Sequence, residues 1–292
     1  MLSAIPLCLV AGAIAPIAVH TVPSLRQLTE HPLAGLTQVY AARPDNNGNL
    51  YLVRADAEIM RLTDTKATEV VGILSPDGRQ VAYSSNLEGT YDLYLMTLDD
   101  NDRSSGIRRL TSLSGDEIAR SWSPDGSGIV FDSVVEKSVN VMTIHPDGTG
   151  MAALTTDGVS FGGAWSPDGT LLAYSHPDDT GQKEGIWTMQ PDGTDRRLVV
   201  QIGGNDFDPM WSPDGARILF TGDSSGSFDV WVADANGQNA RDLTYGWKDA
   251  DIGVGWGPHD VVIFASDRSH TGGNFIYAMQ PDGSDVRLVV II

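Results

Sequence analysis

The motif Trp-Ser-Pro-Asp-Gly recurs along the chain at regular intervals. It occupies residues 122–126, 165–169 and 211–215, appears as Leu-Ser-Pro-Asp-Gly at 74–78, and is altered to Trp-Gly-Pro-His-Asp at 256–260. The serines of the first four copies lie 48, 43 and 46 residues apart. A repeat of this length is typical of a propeller, a solenoid or another array, and the content of each period decides among them.

Each period contains four short segments with the composition of β-strands. Strand A ends in the motif, strand B is a near-continuous apolar run such as 218–220, strand C is an alternating run such as 229–232, and strand D resembles Arg-Leu-Thr, as at 109–111. Apolar B runs indicate burial on both faces, as expected for a sheet stacked between two others. The pattern therefore predicts an all-β fold, a six-bladed β-propeller of four-stranded antiparallel blades.

The segment count is uneven at the two ends of the repeat region. B and C segments occur six times and A segments five times, which predicts that the first blade is incomplete. D segments have seven candidates, because residues 24–29 and 286–290 both fit. The sequence leaves open which of these two closes the ring.

The aspartate of the motif is interpreted as a turn residue. Proline pre-sets φ at the second turn position, aspartate bonds nearby backbone N–H groups, and glycine accepts the positive φ that follows. We therefore expect a hairpin turn between strands A and B, and a second turn of the same chemistry, as at 146–148, between strands C and D. The motif tryptophans are expected to wedge between blades as large apolar anchors.

Taken together, the tryptophan, the Ser-Pro-Asp-Gly turn, the apolar strand, an Asp-Val-Trp strand (229–231) and the Arg-Leu-Thr run resemble the repeats of the TolB-like β-propeller family. The resemblance covers about residues 24 to 290. It implies a six-bladed propeller in an exported bacterial protein that binds other proteins. The same repeats also occur in propellers attached to prolyl-oligopeptidase-like peptidases.

The beginning of the chain differs in composition from the repeats. Residues 2–19 carry no charged side chain, and Arg26 is the first basic residue. This pattern predicts an export signal or membrane anchor over residues 1–23 and a propeller domain over residues 24–292. We therefore expect a periplasmic or extracellular protein, in contact with the membrane only through residues 1–23 if they are not cleaved. The single cysteine, Cys8, lies in this segment, so the processed protein would form no disulfide.

Acidic residues outnumber basic ones, 38 to 19, and give a formal net charge of −19. Such a chain repels the phosphate backbone, which argues against nucleic acid as a partner. The charge either favours a cationic partner or calcium, or only keeps the protein soluble.

Carboxylates recur at one position of the A strands. Counting back five residues from the motif's first residue gives an acid in four of five repeats, at Glu69, Glu117, Asp206 and Asp251. Because A strands should line the central channel, we expect these side chains at its mouth, on the face that carries the longer loops. Together with Asp208 and Trp247 they form the predicted partner-binding site. The alternative is that these acids are solvated or bond adjacent backbone.

The sequence thus predicts an exported, monomeric binding module for a protein or peptide, with a cationic segment as one option for the partner, and no enzymatic activity. We expect no cofactor, although calcium remains open as a ligand of the carboxylates. Two alternatives are a metal-dependent propeller hydrolase or lactonase that uses the channel carboxylates, and a propeller fragment associated with a prolyl-oligopeptidase-like peptidase. Two Gly-x-Ser-x-Gly matches, at 158–162 and 222–226, lack the strand-to-helix context of a catalytic serine.

Overall fold

The structure is a computed structural model that describes residues 38–42, 48–53, 59–101, 103–247, 249–266, 268 and 275–291. The predicted export segment, residues 1–23, and the candidate closing strand at 24–29 lie outside these residues. The described residues divide into two compact units, with the boundary between Phe161 and Gly162. No helix in the described part of the chain combines the length and the apolar character needed to cross a membrane.

The first unit contains three antiparallel sheets whose strands pair in sequence order. The first sheet has three strands, β1 (Gln38–Ala42), β2 (Asn49–Val53) and β3 (Ile59–Arg61). The second consists of β4 (Glu69–Leu74), β5 (Gln80–Ser85), β6 (Asp92–Leu98) and β7 (Ser104–Arg109). The third consists of β8 (Asp116–Trp122), β9 (Ile129–Val135), β10 (Ser138–Ile144) and β11 (Ala152–Ala153). The first strands of successive sheets are neighbours, β1 beside β4 and β4 beside β8.

The second unit contains three four-stranded sheets of the same plan. They are β12 (Phe161–Trp165), β13 (Leu172–Pro177), β14 (Glu184–Met189) and β15 (Arg197–Val200); then β16 (Asp206–Trp211), β17 (Arg217–Gly222), β18 (Asp229–Asp234) and β19 (Arg241–Asp242); then β20 (Asp251–Trp256), β21 (Val262–Ser266), β22 (Phe275–Met279) and β23 (Arg287–Ile291). β16 packs against β13 and β14, and β20 packs against β16, β17 and β18.

The β-propeller class and the four-stranded antiparallel blades are confirmed, but the blade count differs from the prediction. The described residues form five four-stranded blades rather than six, because the sheet β1–β3 has only three strands. At the other end, β23 pairs with β22 and completes the last blade. The D segment at 286–290 therefore belongs to its own repeat's sheet.

The apolar B strands lie in the core, as their composition predicted. Val130 and Phe131 of β9 have no exposed surface, and the same holds for Ile263 and Phe264 in β21. The apolar side chains of neighbouring sheets merge into shared clusters, since Ala82 of β5 packs in one cluster with Phe131. Burial of this extended apolar surface is the main term that stabilises each unit.

The Ser-Pro-Asp-Gly turn is held by its own side chains. The Ser123 hydroxyl donates to the Asp125 carboxylate at 2.6 Å and accepts the N–H of Gly128 at 2.8 Å. Gly126 has φ 74°, a conformation that favours glycine. The hydroxyl of Ser123 and the N–H of Ser127 lower the pKa of Asp125 to about 2. The same serine-to-aspartate bond occurs in the other three intact copies, at Ser75, Ser166 and Ser212. The turn interpretation of the motif is therefore confirmed.

Three of the motif tryptophans, Trp122, Trp211 and Trp256, bond to the preceding blade and lie between blades as predicted. The indole N–H of Trp122 on β8 donates to the carbonyl of Ile73 on β4 at 3.1 Å. In the second unit, Trp256 on β20 donates in the same way to Met210 on β16 at 3.1 Å. A second bond crosses the same junctions, because the N–H three residues before the tryptophan donates to a hydroxyl on the preceding B strand. The pairs are Ala119 with Ser84, Asp208 with Ser175, and Gly253 with Thr221.

The threonine that ends the Arg-Leu-Thr run ties strand D to strand C. The Thr111 hydroxyl accepts the N–H of Leu93, and the Thr244 hydroxyl accepts the N–H of Val230. Both threonines are buried. Their hydroxyls also donate to nearby carboxylates, so this position connects the blade to the acidic residues described next.

Candidate functional site

The predicted carboxylates lie at the start of the A strands. Glu69, Asp206 and Asp251 are the first residues of β4, β16 and β20, and Glu117 is the second residue of β8. All four are buried, with at most 2% of their surface exposed. Their local contacts determine whether each has free hydrogen-bonding capacity.

Glu69 is bonded through both carboxylate oxygens. The hydroxyls of Thr65 and Ser85 donate to Oε1 at 2.6 and 3.4 Å, and the Thr63 hydroxyl donates to Oε2 at 3.0 Å. Burial raises the pKa of Glu69, and the bonds from Thr65 and Thr63 oppose this rise. These contacts are those of a structural residue, which favours the non-binding alternative for Glu69.

Glu117 has one bonded and one free oxygen. The Thr111 hydroxyl donates to Oε2 at 3.1 Å, whereas Oε1 is buried without a hydrogen-bond partner. Burial raises the pKa of Glu117 to about 7; the Thr111 bond opposes this and the adjacent Asp92 carboxylate adds to it. Asp92 itself pairs with Arg109 at 2.8 Å. The Glu117 carboxyl group therefore lies beside an ion pair in which Arg109 is bonded to Asp92.

Asp206 and Asp208 lie two residues apart on β16 but have different surroundings. Asp206 accepts the N–H of Ile202 at 2.9 Å through Oδ2, while its buried Oδ1 has no partner. Burial raises the pKa of Asp206 to about 7, against the lowering effect of the Ile202 bond. Asp208 lies at a β-bulge with φ 52°, and its N–H donates to Ser175. Asp208 is thus positioned by the junction to the preceding blade.

Asp251 and Trp247 are brought together by an arginine. Arg268 Nη2 lies 3.0 Å from Asp251 Oδ1, and the guanidinium carbon lies 3.8 Å from the centre of the Trp247 ring. Burial raises the pKa of Asp251, and the bonds from Ser266 and Arg268 lower it. Its Oδ2 is buried and unpaired. Trp247 is half-buried against Phe264 rather than fully exposed.

Two further acids beside this group were missed by the sequence reasoning. Asp229 is buried and accepts hydrogen bonds from Thr244 and Ser225. Burial raises the pKa of Asp242 to about 6, and the charges of Asp229 and Asp251 add to the rise. A signal was present in the sequence, because Asp242 stands where the Arg-Leu-Thr run of an earlier blade has Arg109.

The carboxylates do not supply a metal site. Across the residues that the structure describes, no group of three or more His, Cys, Asp or Glu side chains could hold a metal ion. The described residues therefore provide no cluster of side-chain ligands for calcium. The serines of the two Gly-x-Ser-x-Gly matches lie between strands: Ser160 is buried just before β12, and Ser224 lies between β17 and β18.

The partner-binding role of the six predicted residues stays a prediction. The structure places Glu69 and Glu117 at equivalent positions of two blades in the first unit, and Asp206 and Asp251 at equivalent positions in the second. Of the six, it brings Asp251 and Trp247 into one group with shared contacts.

Comparison with known proteins gives consistent results. The family profile described as TolB beta propeller domain matches residues 34–205 and 164–291. A protein named TolB homolog from Chlorobium luteolum is 34% identical over 171 residues, which cover 58% of this chain and 38% of that protein. The chain spans less than half the length of curated relatives that it matches.

Solved structures share the fold. The crystal structure of TolB from Acinetobacter baumannii matches with a TM-score of 0.70 and 18% identity, over 85% of this chain and 61% of that one. Oligogalacturonate lyase from Vibrio parahaemolyticus matches with a TM-score of 0.61 and 13% identity, over 87% of this chain and 74% of that one. The repeats, the blades and the profile that spans most of the residues lead to one conclusion: the chain belongs to the TolB β-propeller family.

Proposed function

We propose that this protein is an exported, monomeric binding module that takes a protein or peptide partner at the loop-side ends of its A strands. The TolB homologs to which it is similar and its propeller fold support a protein-binding role. We also propose that its repeats close as a six-bladed ring, with residues 1–23 as the export signal or anchor. The working location is then the periplasm or the extracellular space.

One observation carries the choice of site. Three of the A-strand acids keep a buried oxygen that has no hydrogen-bond partner, namely Glu117 Oε1, Asp206 Oδ1 and Asp251 Oδ2. A buried acceptor without a donor costs free energy, so a donor that reaches it stabilises the complex. Because the chain carries a formal charge of −19, a cationic segment is the donor that the field attracts most strongly. Glu69 and Asp208 position the neighbouring strands, and Trp247 adds an apolar contact.

The enzymatic alternatives stay predictions with weaker support. The likeness to oligogalacturonate lyase is one of fold, at 13% identity. Neither a metal-ligand cluster nor a serine at a strand-to-helix turn is found in the described residues. The binding function has the family relationship in its favour.

The test is a capture experiment with the full chain immobilised. The bait is compared with the triple variant Glu117→Gln, Asp206→Asn, Asp251→Asn, which removes charge and keeps shape. We expect the wild-type chain to retain a protein from a cell-envelope extract, with retention that weakens as salt is added. The triple variant should retain less of the same protein, and its binding should depend less on salt.

The matched control removes three charges elsewhere. The aspartates of the C-to-D turns are exposed, and the equivalent turn of another blade already has Asn236, which accepts the N–H of Gln238 in the same way. The control variant is therefore Asp147→Asn, Asp192→Asn, Asp282→Asn. Equal retention by the wild type and the A-strand variant, or equal loss in both variants, would remove the A-strand acids as the binding site.

A further inference from the structure

Arg268 lies in a pocket made of three aromatic rings and a carboxylate, all in the second unit. Its guanidinium carbon is 3.8 Å from the Trp247 ring centre, 4.5 Å from that of Tyr277 and 5.2 Å from that of Phe264. Nη2 reaches Asp251 Oδ1 at 3.0 Å. Stacking on aromatic faces combined with a carboxylate is the arrangement that proteins use to bind a guanidinium group. The protein thus contains an arginine pocket that its own arginine fills.

The negative charge around this pocket exceeds what Arg268 neutralises. Burial is the main cause of the raised pKa of Asp242, and Asp229 and Asp251 lie close enough that their charges add to the rise. In an earlier blade, the position of Asp242 is taken by Arg109, which pairs with the acid at the start of its own C strand. This blade has an acid in place of that cation. The pocket therefore attracts more positive charge than it holds.

The pocket also has unused acceptors. Asp251 is fully buried, and its Oδ2 accepts no hydrogen bond, while Asp242 Oδ2 is likewise buried and unpaired. A guanidinium offers five N–H groups and can bond both oxygens of one carboxylate. Arg268 bonds only Oδ1 of Asp251 and directs Nε to the Ser266 hydroxyl at 2.9 Å. The pocket can thus accept more hydrogen bonds than its present occupant donates.

The geometry points to a recognition site for an arginine side chain, formed by Trp247, Tyr277 and Asp251, in which Arg268 is an internal plug that an arginine of the partner replaces. This inference rests on the proposed binding function and names the side chain that the partner presents. Lysine is a poorer fit, because its ammonium group is neither planar nor able to stack on the indole.

Because Arg268 occupies the pocket, another guanidinium group must compete with it in order to bind. Arg268 is tethered beside the pocket, and a tethered group competes at an effective concentration in the millimolar range or above. A free guanidinium compound at lower concentration therefore does not displace it. A partner that makes other contacts with the protein can do so, because those contacts hold its arginine in place.

The experiment removes the plug and supplies a small replacement. The full chain with Arg268→Ala is titrated with methylguanidinium at about 10 mM, well below denaturing concentrations, and the midpoint of thermal unfolding is measured. We expect a rise of about 3 °C or more in the variant and less than about 1 °C in the wild type. Methylammonium at the same concentration should raise the midpoint less than half as much.

Two variants serve as controls. Adding Asp251→Asn to Arg268→Ala should abolish the methylguanidinium effect, because the carboxylate is lost. Arg217→Ala removes an arginine from a more exposed site. There Arg217 lies 4.9 Å from the centre of one aromatic ring, that of Trp256, and pairs with the half-exposed Asp260. Methylguanidinium should leave the unfolding midpoint of Arg217→Ala unchanged within about 1 °C.

If Arg268→Ala does not fold, Arg268→Lys takes its place, and methylguanidinium should stabilise it at lower concentration than the wild type. Equal shifts in wild type and variant, or a shift that survives Asp251→Asn, would overturn the proposal. The result is separable from the capture experiment because the probe requires no partner. If the variant binds methylguanidinium, the arginine site is supported even when no protein is captured. If it does not bind, the arginine site is refuted even when a protein is captured.

Discussion

Replacing Glu117 by glutamine measures the free energy of burying a carboxyl group at the start of an A strand. The Glu117 side chain is entirely buried, and only Oε2 has a hydrogen-bond partner, Thr111. Burial raises its pKa from 4.5 to about 7, with the Asp92 carboxylate as a further cause. A glutamine has the same shape, can accept the Thr111 bond and can donate its amide to Asp92.

The direction of the pH effect follows from the raised pKa. The unfolded chain loses the Glu117 proton near pH 4.5, whereas the folded chain keeps it until about pH 7. The free energy of unfolding therefore falls as the pH rises between these values, and above pH 7 the loss is constant at about 3 kcal/mol. Glutamine does not titrate. Relative to wild type, Glu117→Gln should therefore gain about 2–3 kcal/mol between pH 5 and pH 8.

The assay is urea unfolding of both proteins at pH 5, 6, 7 and 8, followed by tryptophan fluorescence. Asp125→Asn is the control whose difference from wild type should stay constant from pH 5 to pH 8, because hydrogen bonds lower the pKa of Asp125 from 3.8 to about 2. The stability that this group adds is present above pH 4 and is lost as the pH falls through 2. A difference between wild type and Glu117→Gln that stays constant from pH 5 to pH 8 would refute the argument that burial holds the proton.

Two further changes test the bonds that tie strands and blades together, both measured by urea unfolding. Thr111→Val leaves the N–H of Leu93 buried without its acceptor and should lower the free energy of unfolding by about 1–3 kcal/mol, whereas Thr111→Ser should keep most of it. Equal losses in both variants would show that the hydroxyl does not matter. Trp256→Phe removes the indole bond to the Met210 carbonyl and should cost about 1–2 kcal/mol. An unchanged midpoint would mean that packing alone joins these blades.

Much of the fold could be read from local sequence. The Ser-Pro-Asp-Gly copies predicted the A-to-B hairpins because all the bonds of the turn lie within six residues, as between Ser123 and Gly128. The role of Thr111 could not be predicted, because its partner Leu93 lies on another strand and the contact depends on the register between them. The three-stranded first sheet agrees with the incomplete first blade that the segment count predicted, although a repeat count does not show which segments pair.

The sequence located the candidate acids at the starts of the A strands, but it did not predict what surrounds them. Counting back from the motif located Asp206 and Asp251 at the starts of their strands. Their burial depends on residues that other segments bring against them, such as Ile202 and Arg268, and sequence spacing does not reveal these contacts. The replacement of Arg109 by Asp242 at equivalent positions was visible in the sequence, but its meaning required the nearby acids to be located in space.

The paired bonds at three blade junctions have a consequence for how such a protein can change its length during evolution. At each of these junctions the later repeat carries an indole that reaches back, as Trp122 does to Ile73, and the earlier repeat carries a hydroxyl that accepts an N–H from the later one, as Ser84 does from Ala119. Duplication of one whole period therefore copies a donor and an acceptor together, and the new junctions on both sides are complete at once. A deletion that ends inside a period separates the two and leaves a buried polar group unpaired, which selection would remove.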